Sequence, residues 1–183
     1  PENRISFFQD TRRASVASLK IQKELAKDTK IRLGFVGDIM MDRGVKSKIL
    51  LQGDGSYDFQ FQYASDTLRS YDILFGNLEG PISDKGANRG SIYSFRMDPK
   101  VATSLSDAGF DVLSVANNHI GDWGSIAMID TFLRLKNEGV ISVGGGKNKS
   151  DAHEPKILEV HDTKIAYLAY SQFGRGYTEA GND

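Results

Sequence analysis

The sequence predicts an α/β layered domain with a largely parallel sheet. Three observations predict it. From Ile31 onward, short apolar runs of strand length alternate with longer stretches whose apolar residues recur at helical spacing. The apolar runs end in clusters of Gly, Asp and Asn, the residues of turns. The clusters are also widely and evenly separated: Glu79 follows Asp38 by 41 residues, and His119 follows Glu79 by 40. Each step is long enough for a helix-containing crossover between parallel strands.

Taken in order, residues 1–30 stand apart, with seven Lys/Arg, four Asp/Glu and no Gly. Within them 15–27 is helix-friendly and carries Val16, Leu19, Ile21 and Leu25. It reads equally as an amphipathic helix packed on the domain or as a stalk leading from a membrane anchor. Residues 31–36 then form a compact apolar run, a buried strand that feeds a loop at Gly37-Asp38. Residues 57–70 place Phe61, Ala64 and Leu68 on one helical face, and 72–76 are a second strand.

Asp98-Pro99 is a helix start, Asp as N-cap and Pro at the first helical position, with Gly109 as the left-handed stop. Val101, Leu105 and Ala108 mark its buried stripe. Residues 111–116 are the third strand. Residues 125–138 are a helix with Ile126, Ile129, Phe132 and Leu133 on its inner face, closed by Gly139. Residues 140–143 are a fourth strand, and 156–160 with 164–170 suggest a hairpin around His161. Ser83–Gly90, polar and Gly-rich, reads as a mobile surface loop.

Composition narrows the function. Hydrophobic residues make up 39% and charged residues 26%, so disorder throughout is excluded, and no apolar run is long enough to span a membrane. A net charge of −1 argues against a broad nucleic-acid surface. The absence of Cys removes disulfides, thiolate metal sites and Cys nucleophiles. No Gly-x-Ser-x-Gly elbow is present, which disfavours an ordinary serine hydrolase. Gly144-Gly145-Gly146-Lys147-Asn148 has Asn where a phosphate-binding loop needs Ser or Thr, so it reads as a tight turn. His153 and His161 read as solvated, and Trp123, Tyr167 and Tyr170 as packing residues.

In parallel α/β sheets, ligands bind beyond the carboxyl ends of the strands. The first three strands end in 37–44, 76–81 and 116–122. Asp38, Glu79, Asn118 and His119 therefore converge on one sheet edge. One imidazole among several oxygens suits a divalent ion such as Mn, Mg, Zn or Fe, which would polarise an oxygen or supply hydroxide. The competing reading is that Asp, Asn and Gly follow strands because they favour turns. Arg43 suits a carboxylate or phosphate, or else pairs locally with Asp42. Asp122 reads first as the cap of the following helix, and second as a partner orienting His119.

At these clusters the chain resembles the bacterial capsule-synthesis family of the CapA/PgsA type, linked to poly-γ-glutamate. The matching stretches are 37–45 (Gly-Asp-Ile-Met-Met-Asp-Arg-Gly-Val), 77–82 (Asn-Leu-Glu-Gly-Pro-Ile) and 109–119, which ends in Ala-Asn-Asn-His; later pieces at 139–148 and 164–171 follow in order. The family is similar in fold to calcineurin-like metallophosphoesterases, two sheets sandwiched between helices. The resemblance implies that Asp38 matches the first aspartate motif, that Asn77 and Glu79 fall at the bridging acidic motif, and that Asn118-His119 match the Asn-His motif. It implies Asp38, Asn118 and His119 as catalytic groups, Asp38, Glu79, Asn118 and His119 as metal ligands, and Asp42, Arg43, Asn77 and Asn117 as substrate contacts.

Two departures qualify it. Met40 stands where a phosphoesterase offers a ligand His, and Asn77 where its bridging Asp would be, which points to a single or altered metal site. Family members also continue into further His-rich motifs, so residues 31–183 look like the first part of a larger domain whose exposed sheet edge invites self-association. Three readings follow. The chain belongs to a poly-γ-glutamate synthesis or export protein, extracytoplasmic and membrane-associated, whose partners are the anionic polymer and other capsule-synthesis membrane proteins. Alternatively it is a metal-dependent phosphoesterase acting on a nucleotide or cell-wall phosphate, or a non-catalytic polymer-binding subunit.

Overall fold

The structure, a computed structural model, describes residues 30–173. The reading of residues 1–30 as helix or stalk falls, apart from Lys30, outside the described residues. Four strands, β1 (Leu33–Ile39), β2 (Ile73–Leu78), β3 (Val112–Ser114) and β4 (Ile141–Val143), form an all-parallel sheet in chain order. The first crossover carries α1 (Arg43–Gln52), a 3-10 turn (Tyr57–Phe61) and the short α2 (Ser65–Leu68). The second carries α3 (Val101–Ala108) and the third α4 (Gly124–Asn137). A single turn of helix, α5 (Lys149–His153), precedes the two-stranded sheet of β5 (Lys156–Val160) and β6 (Thr163–Tyr167). The α/β class and parallel sheet are those the sequence predicts.

By its contacts the chain divides into two units, Pro1–Ile31 with Leu158–Ile165, and Arg32–Ile157 with Ala166–Asp183. Of the first, the described part is mainly the tip of the hairpin. There His161 and Asp162 both hold left-handed backbone (φ 48° and 60°), the geometry of a two-residue turn whose twist matches the strands. The second unit holds the sheet, the helices and everything described below.

The sheet's middle is apolar because parallel strands are covered on both faces. Ile73, Leu74, Leu78, Val112 and Leu113 are all essentially inaccessible, and Ile49, Leu105 and Leu135 reach the core from three helices. Gly76 is a close-approach position: a Cβ there would sit 2.6 Å from Ile39 Cδ1 and about as near Val36 and Phe110 as real contacts never or rarely come. β1 also carries one extra residue between Phe35 and Asp38, opposite Phe75 and Asn77 of β2. This bulge brings Asp38 level with Asn77, and bulges commonly re-aim side chains in this way.

Several local expectations need correcting. β1 runs on through Gly37-Asp38 to Ile39, so Asp38 is a strand residue rather than the start of a loop. Helix α1 was not anticipated from Arg43, Lys46, Ser47 and Lys48, and neither was α5, which Asn148 caps by accepting from the Asp151 N–H. Residues 57–70 are a 3-10 turn and one α turn, not a continuous helix. Asp98 does accept from Lys100 N, but it closes a lead-in turn before α3; Gly109 is left-handed as expected (φ 98°).

The inner face of α4 also differs. Ile126 and Leu133 are exposed, whereas Ala127, Asp130, Thr131 and Leu135 are buried. Apolar periodicity misses this face because it contains a buried carboxylate. Asp130 accepts from Ser83 Oγ, Lys85 Nζ and Arg134 Nε, each at 2.7 Å, and Thr131 Oγ1 accepts from Ile82 N at 2.9 Å. The 83–90 loop is therefore pinned at its root, with Ser83 buried and Arg134 also reaching Asp84.

Two predictions follow from this packing. Gly76→Ala should cost about 1–3 kcal/mol of stability, read as a lower urea midpoint with the slope unchanged, since the added methyl must push aside packed side chains. Asp130 should make the fold acid-sensitive. Burial pushes its carboxyl up, but hydrogen bonds from Lys85, Ser83 and Arg134, with the Arg134 charge, outweigh this and hold it at about 2 against an ordinary 3.8. A depressed carboxyl contributes stability that is full above about pH 4 and lost as pH falls toward about 2. Unfolding midpoints measured from pH 6 to 2 should fall less steeply for Asp130→Asn, which starts less stable.

Candidate functional site

The carboxyl ends of β1, β2 and β3 bring Asp38, Asn77, Glu79, Asn117 and His119 together, as the sheet topology requires. The bulge sets Asp38 beside Asn77, whose Nδ2 donates to Asp38 Oδ1 at 2.8 Å and to Glu79 Oε2 at 2.7 Å. Glu79 is placed by its own backbone, which donates to Ile39 O, so β1 and β2 stay paired to the end of the site.

Asn117 organises the third strand end. Its Oδ1 accepts from the backbone N–H groups of His119 and Ile120, at 3.0 and 2.9 Å. Its Nδ2 consequently faces the other way, donating to Leu78 O at 2.8 Å and Asn77 Oδ1 at 3.1 Å. Asn117 is thus a fastener between β2 and the loop that carries the histidine. Asn118 is exposed and stands outside this network.

His119 is held on three sides. Its Nδ1 lies 2.8 Å from Oδ2 of Asp122, a carboxylate only 3% exposed. The same Oδ2 accepts from Phe95 N at 2.9 Å, and the Phe95 ring packs on the imidazole with centroids 4.4 Å apart. Nε2 is left facing the site, 3.6 Å from Glu79 Oε1. Asp122 therefore acts as the orienting partner of His119; its side chain makes no cap on α4, whose N-terminal flanking residue is Trp123. Sequence reasoning ranked the cap first because Asp before a helix usually caps. It gave no notice at all of Phe95, which meets His119 only through a loop closure of 24 residues.

The segment 91–97 that carries Phe95 is strapped across the strand ends. Arg96 N donates to Asp42 Oδ2, Met97 N to Pro81 O, and the Arg96 guanidinium lies 3.6 Å from the Trp123 ring centroid. Asp42, engaged in this way, does not cap α1 with its side chain. Arg43 is exposed and left-handed (φ 52°), a conformation that costs a non-glycine residue. It reaches Ile92 O and sits over the face of Phe95 at 5.9 Å. Nearby Tyr57 is buried, and burial together with the charges of Asp98 and Asp42 pushes its phenol up to about 12, so it stays a neutral donor.

The metal expected at this edge can be set against these residues. Asp38 and Glu79 already share the two protons of one amide, and Asn118 is exposed. Among the described residues no group of three His, Asp or Glu side chains is placed to hold a metal ion. As arranged, the residues present do not fit a bound cation.

Comparison with known proteins places the chain. Residues 32–183 match the family model described as bacterial capsule synthesis protein. The chain belongs to the bacterial capsule synthesis family. It is 31% identical over 149 residues to the capsule biosynthesis protein CapA of Bacillus anthracis, covering 79% of this chain and 36% of that one. It is 30% identical over 159 residues to the PGA biosynthesis protein CapA of Bacillus subtilis (strain 168), covering 85% and 41%. A probable polyglutamine synthesis accessory protein of Mycobacterium tuberculosis is 30% identical over 112 residues, covering 60% and 29%. The chain thus spans about two fifths or less of the length of these relatives. Asp38, Glu79 and His119 all lie inside the matched region. Among the described residues no helix is long and apolar enough to cross a membrane.

The clamp on His119 is directly testable. With Asp122 accepting at Nδ1, the neutral ring should carry its proton on Nδ1 and leave Nε2 unprotonated. Nitrogen-15 NMR should show that tautomer in the native protein. Asp122→Ala should shift the ring mainly to the Nε2–H form, the usual preference of free imidazole side chains; an unchanged spectrum would sink the clamp.

Proposed function

We propose that this chain works in the synthesis or export of a poly-γ-glutamate capsule, with the strand-end cluster as the part that handles the polymer. Family membership supports the process, because relatives in two Bacillus species carry capsule and PGA biosynthesis in their names. The observation that carries the site is the His119–Asp122 pair, with Nδ1 fixed on a buried carboxylate and Nε2 turned toward Glu79. A group so held gives or takes a proton at one defined atom.

A γ-linked glutamate chain presents a carboxylate on every residue and an amide between residues. Arg43, exposed at the mouth of the site, would pair with such a carboxylate. His119 would then serve the neighbouring amide as proton donor or acceptor. No step is assigned to a cation, because the Asn77 amide already occupies Asp38 and Glu79. In this reading the full-length protein acts outside the cytoplasm at the membrane, beside other capsule-synthesis proteins.

His119→Ala and Asp38→Ala in the full-length protein should each reduce surface polymer at least tenfold, scored by capsule staining and released glutamate. Circular dichroism should show both variants folded. Arg43→Ala should lower polymer less, and Arg43→Lys should recover part of the loss. Wild-type polymer in folded His119→Ala cells would refute the site's role.

A further inference from the structure

We infer that the Asn77 side-chain amide takes the place of a cation between Asp38 and Glu79, so that this carboxylate pair is held without metal. Two carboxylates drawn to one sheet edge repel unless something positive lies between them. Here the two protons of Asn77 Nδ2 lie there, one directed to Asp38 Oδ1 and the other to Glu79 Oε2.

The side-chain amide could in principle be turned over, which would aim its oxygen at both carboxylates. The backbone forbids it. N–H groups of His119 and Ile120 have no second identity, and both point at Asn117 Oδ1. That fixes Asn117 Nδ2 toward Leu78 O and Asn77 Oδ1. Asn77 Oδ1 is then the acceptor, and its Nδ2 must face the carboxylates. Turning Asn77 alone would set its nitrogen against the Asn117 nitrogen and its oxygen against two carboxylate oxygens.

Register completes the arrangement. The bulge in β1 pairs Asp38 with Asn77 across the strands, and Glu79 lies two residues after Asn77, just past the end of β2, where its backbone N–H still bonds Ile39 O. The amide is therefore built into the sheet rather than left on a mobile loop. A cation entering this gap would have to displace both hydrogen bonds.

The test needs no substrate, and it reads the amide's role whether or not the site handles polymer. The full-length protein is purified, its metal content measured, and its thermal midpoint recorded in EDTA and in 1 mM manganese chloride. The wild type should carry no stoichiometric metal and keep its midpoint within about 1 °C in both. Asn77→Asp exchanges the shared donor for a third carboxylate. It should lose about 2–4 °C or more in EDTA and recover most of this in manganese, the lower bound being the usual sensitivity of a domain of about 150–250 residues. Asn77→Ala loses the donor without adding a ligand, so its midpoint should fall and manganese should not restore it. Stoichiometric metal in the wild type, or a wild-type midpoint that drops in EDTA, overturns the inference even if neither variant folds. So does an Asn77→Asp midpoint in EDTA equal to that of the wild type.

Discussion

The Asp122 carboxylate is the constraint on which the rest of the site depends. It is almost wholly buried in the loop between β3 and α4, where an unpaired charge would be costly. Its two partners, Phe95 N and His119 Nδ1, come from different parts of the chain. Satisfying one buried oxygen therefore fixes the histidine ring and also brings the 91–97 segment across it. The Phe95 ring then packs on the imidazole, and the Arg43 guanidinium lies over that ring. Removing the carboxylate would release all three.

The same device recurs along the long connection between β2 and α3. That stretch has little regular structure, yet several of its members are buried. It is held by side chains from later elements: Thr131 takes the backbone of Ile82, Asp130 takes the side chains of Ser83 and Lys85, and Asp122 takes the backbone of Phe95. Asp42, ahead of α1, takes Arg96. Hydrogen bonds to charged acceptors are stronger than neutral ones, and inside a protein they are little screened. A polar connection is in this way made rigid enough to present side chains at the strand ends.

Much of this was legible in the sequence, for a physical reason. Parallel strands buried on both faces read as apolar runs, and the turns after them must use Asp, Asn and Gly. The positions of Asp38, Glu79 and His119 at one sheet edge follow from that pattern alone. What periodicity cannot show is a buried polar group paired with a distant partner. Asp130 made the buried face of α4 unreadable, because a charge on a helix looks like its solvent side. Asp122 reads first as a cap because it precedes a helix, and its second partner, Phe95, is remote in sequence. The role of Asn77 depends on a one-residue bulge in a neighbouring strand, and no local pattern encodes the direction a side chain takes after a bulge.

The start of α1 shows how local preference yields to the site. Asp before a helix ordinarily caps it by accepting from the first turn. Here the Asp42 carboxylate is committed to Arg96 N, so α1 has no side-chain cap. The next residue, Arg43, enters the helix in left-handed backbone, at a cost on the order of 1–3 kcal/mol for a residue with a Cβ. Both concessions fall at the same turn, and both serve the 91–97 segment: one anchors its backbone, the other lays a guanidinium over its Phe95. A local cost accepted beside the strand ends in order to hold a neighbouring segment is what a preorganised site requires. Its groups are held in position by the surrounding fold rather than by their own conformational preferences.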